Sequence, residues 1–156
     1  MILKIHYQTL TLEELHFILV PVNKIVEWSF GISSVLNPDG FYFESFNIVI
    51  NKSCSGFNFW VISFMTCVYL ILNNIKHISL RWLTIPFSIV FSYFITIVAN
   101  ASRIIISMLL KNIEGLHWHW VHEATGIFIY MMVLIIIYST GQFLLQKTSI
   151  HHAKSI

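Results

Sequence analysis

Three stretches of this chain, residues 57–75, 82–110 and 126–145, are each long and apolar enough to cross a bilayer, whose hydrocarbon core of about 30 Å needs about 20 helical residues. Charged residues make up only 10% of the 156 residues and hydrophobic ones 56%. A typical soluble domain carries roughly 25% charged residues, so the expected solvent is lipid. These features predict an all-α integral membrane protein, a polytopic bundle forming a single membrane-embedded domain over residues 1–156. A net charge of +2 without any basic run interleaved with aromatics argues against nucleic acid as a partner.

Lys/Arg placement gives the bundle a direction. Lys76 and Arg81 sit in the short connection after the first span, and Lys147 and Lys154 follow the third. By the positive-inside tendency both regions are cytoplasmic. The opposite ends then share the extracytoplasmic face: the start of the first span with Cys54, the finish of the second with Arg103, and the start of the third with "HWHWVHEATG". Along the second span, Ser88, Ser92, Thr96, Asn100, Arg103 and Ser107 recur every three or four residues, which makes one polar stripe on a helix. An arginine at that depth is expected to face the bundle interior, although serines and threonines also serve as ordinary packing residues and an arginine can snorkel.

Residues 15–36 are apolar overall but contain Pro21, Asn23, Lys24 and Glu27, which predicts an interrupted helix, interfacial or re-entrant, in place of a clean span. "NPDG" at 37–40 reads as a turn with Pro38 in its second position. "FYFESFNIVI" after it is rich in aromatic and β-branched residues and predicts a short extended arm, with a hairpin as one form, before Cys54. This topology leaves the N-terminus outside with no evident signal or preceding span, and an upstream helix would reconcile it.

Cys54 and Cys67 are thirteen residues apart, the second inside an apolar run, so neither a disulfide framework nor a cysteine-based zinc site is expected. Cys54 lies where Asn51, Ser53 or Ser55 can cap a helix, which puts its sulfur in a first turn beside the positive end of the helix dipole. Gly56 removes a side chain beside it and lets another backbone come close. A nucleophilic thiol also needs a proton donor and a group that stabilises an oxyanion, and a histidine and Arg103 offer those functions. The plainer alternative is a small buried cysteine near a helix start.

"NKSCSGFNF", then "ANASRIII" one span later, then "HEATGIFIY" at the start of the last span, resembles the exosortase and archaeosortase family of membrane transpeptidases. The shared pattern is a cysteine followed by a small residue and glycine, an arginine after an asparagine, and a histidine four residues before a glycine. The likeness runs from about Glu13 to Ile137, and the small size suggests a compact branch such as exosortase K. The resemblance implies Cys54 as nucleophile, Arg103 as the group that stabilises the tetrahedral intermediate or orients the scissile carbonyl, and His122 as general acid/base. Gly56, Asn58, Asn100 and Gly126 would support them. No cofactor is implied. The substrates would be exported proteins ending in a sorting tail, meaning a short motif, a transmembrane helix and a basic cluster. Cys54 would hold them as a thioester before transfer or release, on the extracytoplasmic face of a bacterial-type inner membrane.

Two other readings come from the residues themselves. His117, His119, His122 and Glu123 offer metal-ligand chemistry, but not at the H-E-x-x-H spacing. A non-catalytic scaffold or subunit whose polar stripe packs against a partner is the other alternative.

Overall fold

The computed structural model describes residues 15–74, 78–111 and 118–153, with side chains over 15–73, 84–111 and 122–143. Its helices are α1 (His16–Phe30), α2 (Phe57–Asn74), α3 (Ile78–Lys111) and α4 (Trp118–Ala153). Between α1 and α2, strands β1 (Val35–Asn37), β2 (Gly40–Phe43) and β3 (Ile48–Ile50) form an antiparallel sheet in sequence order. The last three helices are long and apolar enough to span a membrane. At 34 residues α3 is about 51 Å long, well beyond a hydrocarbon core of about 30 Å. Both α3 and α4 therefore run past the expected limits of 82–110 and 126–145, because no strong helix breaker stands in their polar flanks.

Two compact units share the chain, one built from Met1–Phe57 and Asn100–Gly126, the other from Asn58–Ala99 and Ile127–Ile156. In the first, Leu15, Ile18, Leu19, Val22 and Val26 are fully buried and form one stripe at helical spacing along and just before α1. The helix passes through Pro21 without a break and ends at Phe30, not at residue 36; Val35 and Leu36 belong to β1. Gly31 stops it with φ +66°, its N–H bonding to the Glu27 carbonyl.

The polar residues that suggested an interrupted helix tie down the chain that leaves it. Asn23 Nδ2 donates to Ser34 Oγ at 2.8 Å, and Ser34 donates its hydroxyl at 2.7 Å and its amide at 2.8 Å to Glu27 Oε1. Those Ser34 bonds hold the Glu27 carboxyl below its usual carboxylate range.

The extended arm is a hairpin of β2 and β3, and β1, from the residues expected to close the helix and open the turn, pairs with β2 as a third strand. Its first turn closes on the Asn37↔Gly40 pair, and a Cβ at Gly40 would collide with the Ile50 carbonyl oxygen. Phe41 and Phe43 pair with Ile50 and Ile48. Ring contacts of His16 with Phe41 at 6.2 Å and Phe30 with Phe46 at 5.0 Å join α1 to this arm. From the end of α3, Lys111 Nζ donates to the Phe46 carbonyl and, at 3.1 Å, to that of Asn47, whose φ is +48°.

The second unit has a small core of Cys67, Leu70 and Ile137 with Ile95 and Val133 against it. Gly141 admits Leu70 closely, since an added Cβ would meet its Cδ1 at 2.8 Å. Phe59 and Tyr130 stack at 4.4 Å. Ser88, Ser92 and Thr96 of the polar stripe are buried. Ser92 and Thr96 bond back to carbonyls of their own helix, and Thr96 Oγ1 also meets Ser63 Oγ at 3.5 Å. Outside this core, Phe87, Phe94, Ile127, Phe128 and Phe143 are each more than 60% exposed, a surface that suits lipid and not water.

Candidate functional site

Asn51 begins the structure around Cys54. Its Oδ1 accepts from the Ser53 amide at 3.1 Å and the Ser53 hydroxyl at 2.6 Å, capping a single 3-10 turn, Lys52–Cys54. The Cys54 amide closes that turn on the Asn51 carbonyl at 2.9 Å. Ser55 Oγ then accepts from the Phe57 amide at 3.4 Å, where α2 starts.

Cys54 thus precedes α2 and does not lie in its first turn. The reason is Gly56, whose φ of +70° is left-handed and separates the short turn from the helix. Gly56 supplies a left-handed backbone conformation between the two, a role its small size alone did not reveal.

Cys54 is a free thiol, 6% exposed. Its carbonyl accepts from Nδ2 of Asn100, a fully buried residue of α3, so the turn that carries Cys54 is held by a side chain 46 positions away. One turn further along α3 lies Arg103, whose Nη2 is 2.9 Å from His122 Nε2; that same nitrogen is 3.5 Å from Cys54 Sγ.

Hydrogen-bond chemistry sets the histidine's state in this arrangement. A guanidinium only donates, so Nε2 accepts and the ring proton sits on Nδ1. The one lone pair of Nε2 faces both Arg103 and the thiol. Gly126, one helical turn after His122, lies where Arg103 crosses α4: an added Cβ would stand 2.7 Å from Nε and 3.1 Å from Cζ. Beyond them Ser107 Oγ and Thr125 Oγ1 meet at 2.9 Å, a second link between α3 and α4.

A cavity of about 300 Å³ opens beside the thiol, lined by Cys54 and His122, by Asn51 and Ser53, by Ile104 and Ser107, and along one side by all three residues of β3.

Of the residues singled out from sequence, Cys54, Asn100, Arg103, His122 and Gly126 come together here. Asn58 is exposed in the first turn of α2 and Glu123 is exposed on α4. Lys76, His117 and Lys154 lie outside the described residues, and His119, Arg81 and Lys147 are described only as helix backbone. Sequence reasoning did not find Thr125, Lys111 or the β3 wall. Thr125 stands three residues after His122, a helical spacing that could have flagged it; the wall depends on pairing between strands, which has no local signal.

Residues 16–139 match the family model described as transmembrane exosortase (Exosortase_EpsH). No curated protein and no solved structure matches the chain.

Proposed function

From the premise that the chain belongs to the transmembrane exosortase family of multi-pass membrane transpeptidases and proteases, we propose that it cleaves C-terminal sorting tails of exported proteins through a Cys54 thioester. The observation that carries this is the run of contacts from Arg103 through His122 Nε2 to Cys54 Sγ, at 2.9 and 3.5 Å, beside a cavity of about 300 Å³.

Chemistry follows from the single lone pair on Nε2. With Arg103 donating to it, His122 cannot also take the thiol proton. When a scissile carbonyl enters, its oxygen is a better acceptor for the guanidinium, and Arg103 transfers to it. Nε2 is then free to receive the Cys54 proton as sulfur bonds to the carbonyl carbon. Negative charge builds on the oxygen against the arginine. The carbon–nitrogen bond breaks, His122 gives its proton to the departing amine of the tail, and the remaining protein stays on sulfur as a thioester. An amine or water then attacks the thioester, and the thiol is restored.

His122 is thus base and then acid, Arg103 the oxyanion partner, and Asn100 and Gly126 positioning residues. The substrates are tail-bearing exported proteins, met on the extracytoplasmic face of the inner membrane.

The test is intact-mass proteomics of surface proteins in cells carrying wild type or Cys54→Ala. Loss of tail removal in the variant, with the variant still inserted, is the expected result. Tails removed equally in both would refute the mechanism.

A further inference from the structure

We infer that the substrate's cleavage segment binds as an added strand on the free edge of β3, through the backbone of Val49; this rests on the catalytic reading above and names how the same site holds its peptide. Among the described residues, the sheet order β1-β2-β3 leaves one side of β3 without a neighbouring strand. Which groups face that side follows from the first hairpin. Its two-residue turn closes on Asn37↔Gly40, so Gly40 and Tyr42 direct their N–H and C=O groups to β1, and Phe41 and Phe43 direct theirs to β3. Their partners Ile50 and Ile48 therefore face β2, consistent with the Ile50 carbonyl lying against Gly40.

Val49 alone of the three points its N–H and C=O outward. Among the described residues no backbone hydrogen bond outside the sheet reaches it.

That edge borders the reaction space. Ile48, Val49 and Ile50 line the same cavity as Cys54 and His122. At about 3.3 Å per residue the edge runs about 10 Å, from the Asn47 carbonyl held by Lys111 to the turn that carries the thiol. Natural edge strands are ordinarily blunted by charge, proline or a bulge; Ile-Val-Ile has none of these and has high strand propensity. An edge left open in this way, facing a thiol, suits an extended polypeptide that pairs main chain to main chain and offers alternate side chains to the cavity. The occupant is thus the stretch of a tail-bearing protein that contains the scissile bond.

Proline at position 49 removes the outward donor without touching the bonds to β2. Leu36→Pro makes the equivalent change on the opposite edge, since Leu36 pairs with Phe41 and faces away from β2. Tail removal is followed by intact mass in cells carrying wild type, Cys54→Ala, Val49→Pro or Leu36→Pro, while iodoacetamide labelling of Cys54 in isolated membranes reports an intact site.

The expected result is tail removal about tenfold slower in Val49→Pro, the loss of one hydrogen bond, with Cys54 labelled at the wild-type rate and Leu36→Pro unaffected. Val49→Pro working at the wild-type rate while Cys54→Ala is inert overturns the strand-addition mode and leaves the catalytic reading standing. Tails lost equally in Cys54→Ala overturn both.

If Val49→Pro is not labelled, photocrosslinking decides. p-Benzoylphenylalanine at 49 in the Cys54→Ala background should join a peptide containing the bond that wild type cuts, and the same probe at 36 should not. Adducts only within this chain, or none, overturn the inference.

Discussion

The guanidinium of Arg103 crosses α4 over the bare Cα of Gly126, at a distance where an added Cβ would meet Nε at 2.7 Å. His122 lies one turn away on the same face, so the absence of one methyl group on α4 is what lets the arginine reach Nε2 at 2.9 Å. The far end of a flexible side chain gives way more easily than a helix backbone, so any side chain at 126 moves Arg103 and not α4.

Gly126→Ala is therefore expected to separate stability from activity. Alanine favours the helix by about 1 kcal/mol over glycine, so the unfolding temperature in detergent should hold or rise. Tail removal should fall about 100-fold, the scale of a misplacement of about 1 Å at a reacting group. Full activity in a stably folded Gly126→Ala would mean that Arg103 need not sit where it does.

Asn100→Leu removes the donor to the Cys54 carbonyl in a fully buried setting. Leaving that acceptor unmet should cost about 1–3 kcal/mol in chemical denaturation. The Lys52–Cys54 turn should also loosen, so that iodoacetamide reaches the sulfur faster than in wild type. An unchanged labelling rate would separate Asn100 from control of Cys54.

Glu27 gives a pH dependence confined to the loop after α1. Its folded value lies below the ordinary 4.5 because Ser34 bonds to the carboxylate. The stabilisation is accordingly complete above about pH 4.5 and is lost as pH falls through the lower folded value. Hydrogen exchange at the Ser34 amide, corrected for its intrinsic pH dependence, should show protection falling in that acid window, and Glu27→Gln should flatten the profile. Equal profiles would indicate that the serine is held by other means.

Much of this architecture is legible in the chain because lipid enforces simple rules. Apolar length marked α2, α3 and α4, and the spacing of Ser88, Ser92, Thr96, Asn100 and Ser107 marked the face of α3 that is buried. Apolar lengths and Lys/Arg placement also put the segments of Cys54, Arg103 and His122 at one end of the spans. Atomic partners were not legible. That Nε2 lies between a guanidinium and a thiol depends on side-chain reach, and that Gly56 is left-handed depends on where α2 begins. The first strand escaped for a related reason: Val35–Asn37 follows an apolar helical segment and runs into a turn signal, so it reads as strand only once its pairing with β2 is known. Polar residues in α1 misled in the opposite direction, since Asn23 and Glu27 suggested an interrupted helix, whereas the helix is continuous and they fasten Ser34.

The division of the chain into two units bears on how such a protein can diverge. Cys54, Asn100, Arg103, His122 and Gly126 all belong to one unit, and the apolar residues exposed on α2 and in the first half of α3 belong to the other. A move to a thicker or thinner bilayer can therefore be met by changing residues 58–99 and 127–153, while the set around the thiol keeps its identity. Adaptation to a new membrane and adaptation to a new cargo draw on separate stretches of sequence, and each can drift without spoiling the other.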